Sequence, residues 1–272
     1  MKTKSTTKIH YSEILTKANQ ILELKQNKQH LEENRIFPGK DLGRDFAWNH
    51  CYSFFKTNKS LLLSSSLYSG NKLIQEASTE LCCYLAFFGM FTKPKWKFQT
   101  NREIFYPVII NTWNHLAVAK IYDFDQINNE IIIEDLRSCI LTSLKNVLDE
   151  LELKCKKNIS DKLITKILLG MFGCTPAYDK YFTNGLKRFN SLSNHSFKFK
   201  YSFHSNTPIW LQFMQDEEVK EFLIEKRVEY YKKRCKENYQ EIPLNRIADL
   251  FFFQLGYCKV FDNSQTSQNV VK

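Results

Sequence analysis

The residue types best suited to chemistry lie close together in one stretch, Ile164 to Phe182. Lys166 comes before two glycines, Gly170 and Gly173, and Asp179 comes after them. A buried carboxylate can stabilise the positive charge that develops on a sugar when its N-glycosidic bond breaks, or it can activate water. An amine with a lowered pKa can instead attack the anomeric carbon and form a Schiff base. Because glycine lets backbone N–H groups approach a phosphate closely, we predict a helix–Gly turn–helix element that binds phosphate beside both catalytic groups.

The same residues also have ordinary structural explanations. The helix macrodipole favours an aspartate in the first turn of a helix, and Pro176 suits the first position of a helix. Lys166 is one of many lysines in the chain, and a solvated surface would accommodate it. The sequence therefore leaves two roles open for Asp179 and Lys166, catalytic or structural.

This stretch resembles the helix-hairpin-helix superfamily of DNA glycosylases, and more closely the bacterial proteins of the 8-oxoguanine-glycosylase-like fold. The matching residues are Thr165 with Lys166 and a Pro-x-x-Asp element, Pro176 to Asp179. The hairpin reads G-x-x-G, where the family commonly has G-x-G. The resemblance implies that Asp179 is the catalytic carboxylate, and that Lys166 is the nucleophile if the enzyme is bifunctional.

The resemblance also implies a substrate and a biological role. Members of the family flip a modified or damaged base out of duplex DNA and need no cofactor. As a stand-alone chain of divergent sequence, the protein resembles the glycosylases that remove modified cytosines, including glucosylated hydroxymethylcytosine, from phage DNA. A role in anti-phage defence is therefore expected from the resemblance.

The excess of basic residues points to a polyanionic partner. Lys and Arg total 39 against 29 Asp and Glu, which gives a net charge of +10 and a pI near 9.1. Nucleic acid is the first candidate for such a partner. The alternative is that an AT-rich genome has raised the lysine content without functional meaning.

Two segments interleave basic and aromatic residues, a pattern in which Lys contacts phosphates and exposed rings stack on unpaired bases. The alternative is that the rings belong to the core and the lysines to a solvated rim. In the second segment, residues 197–201, the strict alternation of aromatic residues and lysines favours this alternative, because such alternation is typical of a half-buried edge strand. The first segment contains Lys93, Lys95, Trp96, Lys97, Phe98 and Arg102, and the second contains Phe197, Lys198, Phe199, Lys200 and Tyr201.

Trp48 is a further candidate for binding a flipped base, because a base pocket needs flat rings that sandwich the base. It lies in an apolar pattern, Arg44 to Lys56, that predicts a largely buried helix. Core packing is therefore the favoured role of this ring, and His50 in the same helix is explained as a core histidine.

Several classes of function lack their sequence signatures. There is no G-x-G-x-x-G and no Gly before Lys-Ser or Lys-Thr, which disfavours a dinucleotide-dependent dehydrogenase and a P-loop ATPase. None of the eight cysteines forms C-x-x-C and no His pair has a zinc-finger spacing, so we expect no metal, no cofactor and a reducing compartment. The chain begins without the apolar region of a signal peptide. Its longest apolar run, Leu81 to Phe91, is far shorter than the roughly 20 residues of a membrane span. We therefore expect a cytoplasmic monomer with no membrane contact.

The elements that position these residues are predicted to be almost entirely helical. The chain has only 8 Gly and 6 Pro, and its apolar residues recur with the helical period. We expect an all-α, two-lobed fold with one lobe over 1–153, a second over 154–261, and a disordered tail over 262–272. A short strand is predicted near 197–203, within a stretch from Ser191 to Pro208 that lacks a helical pattern. The predicted helices are Ile9–Leu24, Arg44–Lys56, Asn71–Phe91, Ile104–Phe124, Asn128–Leu153, Ser160–Phe172, Pro176–Phe189, Gln215–Lys236 and Pro243–Leu255.

The function that combines these features is a DNA glycosylase that hydrolyses the N-glycosidic bond of a flipped base. The alternative is a non-catalytic, basic, helical nucleic-acid-binding protein, which needs the charge and the rings but not Asp179. A third hypothesis, a cytosolic interaction protein whose charge is only compositional, predicts no salt-dependent affinity for DNA.

Overall fold

The computed structural model describes residues 11–30, 39–64, 67–90, 102–150, 159–193, 197–234 and 242–257. Within these ranges the regular structure consists of eleven α-helices and two 3-10 helices, with no β-strand. The predicted all-α fold is therefore confirmed. The 3-10 helices are Arg102–Phe105 and Phe124–Ile127, and the α-helices are α1 (Tyr11–His30), α2 (Gly39–Thr57), α3 (Lys59–Ser64), α4 (Lys72–Phe87), α5 (Tyr106–Val118), α6 (Glu130–Glu150), α7 (Asp161–Phe172), α8 (Lys180–Leu192), α9 (Phe203–Gln215), α10 (Glu217–Arg234) and α11 (Leu244–Tyr257).

Contacts within the chain divide it into two compact units. We call Phe37–Tyr178 the central unit, and Met1–Ile36 together with Asp179–Lys272 the terminal unit. Helices α2 to α7 belong to the central unit, whereas α1 and α8 to α11 belong to the terminal unit. The lobe boundary predicted near residue 154 and the predicted tail, 262–272, lie outside the described residues.

The core of the central unit forms where the apolar faces of α2, α4, α5, α6 and α7 pack together. Trp113 of α5 is fully buried, and its ring contacts those of Phe55, Phe124 and Phe172. Helix α7 is enclosed on all sides, because every residue from Leu163 to Phe172 is buried. A polar group on such a helix must find its hydrogen-bond partners inside the protein.

In the terminal unit, α8 and α11 cross at close range because each presents a glycine to the other. A Cβ atom at Gly185 would lie 2.7 Å from the carbonyl carbon of Phe252, and one at Gly256 would lie 2.8 Å from that of Tyr181. Aromatic rings fill the adjoining core, many in edge-to-face contacts that stabilise a pair by about 0.5–1.5 kcal/mol beyond burial. The rings of this cluster belong to Phe182, Phe189, Phe197, Phe199, Trp210, Phe213 and Phe252.

The short strand predicted near 197–203 does not form. Its first four residues have no regular secondary structure, and α9 begins soon after them. The predicted alternation is present, since Phe197 and Phe199 are buried and the two lysines that follow them are exposed. The backbone of this segment bonds to a side chain instead of a second strand: the Asn190 amide accepts from the Phe199 N–H at 2.7 Å and donates to its carbonyl at 2.9 Å. Backbone groups satisfied in this way need no neighbouring strand.

The start of α8 and the presence of α9 also differ from the prediction. Pro176 does not open a helix, because residues 173–179 are irregular and α8 begins at Lys180. Asp179 is the N-cap of α8, a position for which aspartate is among the preferred residues. Helix α9 begins at Phe203, within the last third of the stretch from Ser191 to Pro208 that was predicted to be non-helical, and it accommodates Pro208 in its interior.

Candidate nucleic-acid interface

Lys166 lies on α7 inside the central unit, with only 2% of its surface exposed. Its Nζ donates to the carbonyl oxygen of Phe88 at 3.2 Å and lies 4.5 Å from the centroid of the Phe88 ring. Phe88 is the C-cap residue of α4, where carbonyl groups without helical partners and the macrodipole favour a cation. The Lys166 ammonium therefore has a structural role, in which it joins α7 to the end of α4.

The two glycines of the predicted turn occupy different positions. Gly170 lies within α7, and a Cβ atom there would be 2.6 Å from the ring of Tyr84. Gly173 is the C-cap of α7, with a left-handed φ of 64°, and its N–H donates to the Leu169 carbonyl at 3.1 Å. The predicted Gly turn is thus reduced to Gly173, because α7 continues through Gly170. Close ring packing accounts for the first glycine, and the helix end accounts for the second.

Asp179 is the first residue after the central unit and caps the first turn of α8. Its Oδ1 accepts hydrogen bonds from the backbone N–H groups of Tyr181, at 2.9 Å, and Phe182, at 3.0 Å. These bonds satisfy two of the donors that every helix start leaves without helical partners. The side chain is half-buried. The cap holds the carboxylate in a fixed orientation, a condition that a catalytic group also requires.

Trp48 packs in the core of the central unit, with 1% of its surface exposed. Its ring stacks on Tyr52 with the centroids 5.0 Å apart, and its Nε1 donates to the Leu169 carbonyl at 3.1 Å. Trp48 therefore packs in the core, and its ring presents no open face to a flipped base. The other predicted binding residues of the first lobe, which lie outside the described residues, are Lys93, Lys95, Trp96 and Lys97.

The second basic-aromatic segment contributes to an exposed basic surface of the terminal unit. Lys198 and Lys200 are exposed, while the phenylalanines beside them are buried in the aromatic cluster. Tyr201 is 48% exposed, and Nζ of Lys187 on α8 lies 5.5 Å from the centroid of its ring. We call Lys187, Lys198, Lys200 and Tyr201 the basic face.

A buried amide holds the ring of Tyr201 in place. Nδ2 of Asn190 donates to the Tyr201 hydroxyl at 3.0 Å and to the Phe199 carbonyl at 2.9 Å, while Oδ1 accepts from the Phe199 N–H. These bonds use both donors of the amide and its acceptor. The Lys200 N–H bonds in turn to Oδ1 of Asn206 at 2.8 Å. The segment that carries the lysines is therefore fixed to α8 and α9 by side-chain hydrogen bonds.

The sequence around the basic face lacks negative charge. Between Asp179 and Asp216 there are five Lys or Arg residues and no Asp or Glu. An anionic ligand at the basic face therefore meets no like charge from this stretch. Lys187 was not predicted as a binding residue, because it lies outside the alternating segment. The long interval without acidic residues is the sequence signal that identifies it.

Metal-binding and thiol chemistry are limited in the part of the chain that the structure describes. No group of three or more His, Cys, Asp or Glu residues there could hold a metal ion. Burial raises the pKa of the Cys51 thiol well above its usual value, and it raises those of Cys82 and Cys174 to about 12. His50, expected in the core, is exposed, and its Nδ1 lies 2.7 Å from a carboxylate oxygen of Glu80. Of the described helices, none has the length and apolar character needed to cross a membrane.

No protein-family model, no curated protein and no solved structure matches the chain.

Proposed function

We propose that the protein binds nucleic acid through the basic face of the terminal unit. The observation that carries the proposal is a lysine ammonium, Lys187 Nζ, 5.5 Å from the half-exposed ring of Tyr201, with Lys198 and Lys200 exposed just before that ring in a stretch without acidic residues. Lysine ammonium groups neutralise phosphates and release condensed counterions, which gives affinity without sequence preference. The net charge of +10 supports the same ligand, because it attracts a polyanion over longer distances.

Neutralising the lysines of the basic face tests this proposal. We expect the triple variant Lys187→Gln, Lys198→Gln, Lys200→Gln to lose affinity for an oligonucleotide on the order of 10-fold at low salt. Each lost phosphate contact also removes about 0.7 from the slope of log affinity against log salt for a single strand, so the slope should fall by about 2. Fluorescence anisotropy between about 50 and 200 mM salt measures both quantities.

A matched control separates a local contact from net charge. Lys72, Lys120 and Lys145 are exposed lysines of the central unit, and changing all three to Gln alters the net charge equally. We expect this control variant to keep most of the wild-type affinity and salt slope. Equal losses in the two triple variants would show that the basic face is not the binding site.

A second candidate function, base excision, is supported by the position of Asp179. Its half-buried carboxylate is oriented at the start of α8, the helix that also carries Lys187. We propose that Asp179 assists hydrolysis of the N-glycosidic bond of a modified base in DNA, with anti-phage defence as the biological role. Lys166 is not needed for this step, because hydrolysis by water requires no amine nucleophile. The free thiols of Cys51 and Cys174, which are buried, fit our further proposal of a reducing, cytoplasmic location.

The variant Asp179→Asn tests base excision without removing the helix cap, because Asn caps a helix start as well as Asp does. Wild-type protein should release bases from duplex DNA that contains modified cytosines, and alkali should then cleave the abasic strands. We expect Asp179→Asn to keep nucleic-acid affinity and lose strand cleavage. Intact strands after incubation with the wild-type protein would refute base excision and leave the binding proposal standing.

A further inference from the structure

We propose that Tyr201 is a stacking platform for an unpaired base, so that the preferred ligand of the basic face is single-stranded nucleic acid. This inference rests on the proposed binding function and specifies its ligand. Tyr201 differs from the neighbouring rings in its exposure to solvent. Phe197 and Phe199 are buried in the aromatic cluster, whereas Tyr201 is 48% exposed and stands among exposed lysines.

The orientation of the Tyr201 ring is set before any ligand binds. Its hydroxyl accepts a hydrogen bond from Asn190 Nδ2, and the Asn190 amide is itself held by the N–H and the carbonyl of Phe199. Asn190 is buried, as are its two bonds to the Phe199 backbone, so solvent does not compete for the bonds that orient the amide. A ring that is already ordered loses little conformational entropy when a planar ligand stacks on it, and this preorganisation favours binding.

The charge beside the ring suits a nucleotide better than an uncharged planar ligand. Nζ of Lys187 lies 5.5 Å from the ring centroid, within the range of a cation–π contact. Lys198 and Lys200 are exposed three residues and one residue before Tyr201, so a strand whose base stacks on the ring passes lysines that can contact its phosphates. The basic face therefore combines the two contacts that single-strand binders use, ring stacking and phosphate neutralisation.

Duplex nucleic acid offers no open base face on which the Tyr201 ring could stack. In a duplex the faces of the bases are covered by their neighbours in the stack, whereas an unpaired base presents an open face. The lysines contact phosphates of either form, because phosphate contacts carry no sequence or pairing information. Stacking on Tyr201 should therefore add affinity for single strands and none for duplexes.

The test compares Tyr201→Leu with Tyr201→Phe and a control, Tyr68→Leu, which removes a ring that is 62% exposed in the central unit. Anisotropy is measured with a single strand, its duplex, and a single strand of abasic sites that keeps the phosphates but has no bases. We expect Tyr201→Leu to bind the single strand on the order of 10-fold more weakly. Its affinity for the duplex and the abasic strand should stay unchanged. Because no charge is removed, the salt slope should also be unchanged.

The other variants complete the comparison. Tyr201→Phe keeps the ring and loses the Asn190 bond, so its affinity for the single strand should lie between those of wild type and Tyr201→Leu. Tyr68→Leu should match wild type with every ligand. An unchanged affinity of Tyr201→Leu for the single strand, or an equal loss with the abasic strand, would overturn the stacking proposal. If wild type binds none of the three ligands, the proposed function itself fails.

Discussion

The substitution Gly185→Ala tests the close crossing of α8 and α11 in the terminal unit. The added Cβ atom would lie 2.7 Å from the carbonyl carbon of Phe252 and closer still to its oxygen, whereas real Cβ atoms essentially never approach another heavy atom within 3.0 Å. The obstacle is helix backbone, which cannot rotate aside as a side chain can. The two helices would therefore have to separate along their contact.

Two effects of opposite sign determine the result. Because alanine has a higher intrinsic helix propensity than glycine, the substitution by itself stabilises α8 by about 1 kcal/mol. Overpacking a tight contact costs about 1–3 kcal/mol, and we expect the upper end because backbone atoms are involved. The free energy of unfolding should thus fall by about 2 kcal/mol, and Tm by roughly 4 °C for a chain of 272 residues.

Urea denaturation followed by far-UV circular dichroism measures this change. Gly70→Ala is a suitable control, because its nearest neighbour is the ring of Tyr68, which is 62% exposed and can turn aside. The control should change stability by less than about 0.5 kcal/mol. If Gly185→Ala instead raises the urea midpoint, helix propensity outweighs packing, and the close crossing of α8 and α11 is refuted.

Three further predictions concern buried polar groups. Lys166→Met keeps the apolar stem and loses the hydrogen bond to the Phe88 carbonyl. The free energy of unfolding should therefore fall by about 1–2 kcal/mol, and the affinity for nucleic acid should not change. A loss of affinity without a loss of stability would contradict the structural role of Lys166. Burial and a nearby carboxylate raise the pKa of Tyr11 from 10.0 to about 12. The folded state therefore holds the hydroxyl proton of Tyr11 more tightly than the unfolded state does. The stability that this proton contributes is fully present below pH 10 and should be lost as the pH rises to about 12. In melting curves recorded at a series of pH values, Tyr11→Phe should not show that loss. Iodoacetamide followed by peptide mass spectrometry should modify the exposed Cys83 before the buried Cys51, and faster labelling of Cys51 would contradict its burial.

Helical periodicity is a local property, and for this reason the sequence alone predicted most of the helices. Helices α4 and α7 lie within the predicted ranges Asn71–Phe91 and Ser160–Phe172, because their apolar residues recur with the helical period and each begins after a capping side chain. Helix α9 was not predicted for two reasons. It contains Pro208, and two of its buried residues, Asn206 and Thr207, are polar, so its sequence shows no clear apolar period. The alternation of buried and exposed residues at 197–200 was read correctly, but alternation alone does not specify a strand partner.

Only the tertiary structure decided which side chains are used for packing and which remain on the surface. Lys166 became a buried partner of Phe88 because α7 packs against α4, and no feature near Lys166 in the sequence indicates that contact. Lys187 and Tyr201 meet because the buried amide of Asn190 holds the intervening segment against α8. The physical reason is that periodicity and capping depend on residues a few positions apart. Burial and side-chain pairing instead depend on many small contacts between distant segments, and no local pattern specifies which segments will meet.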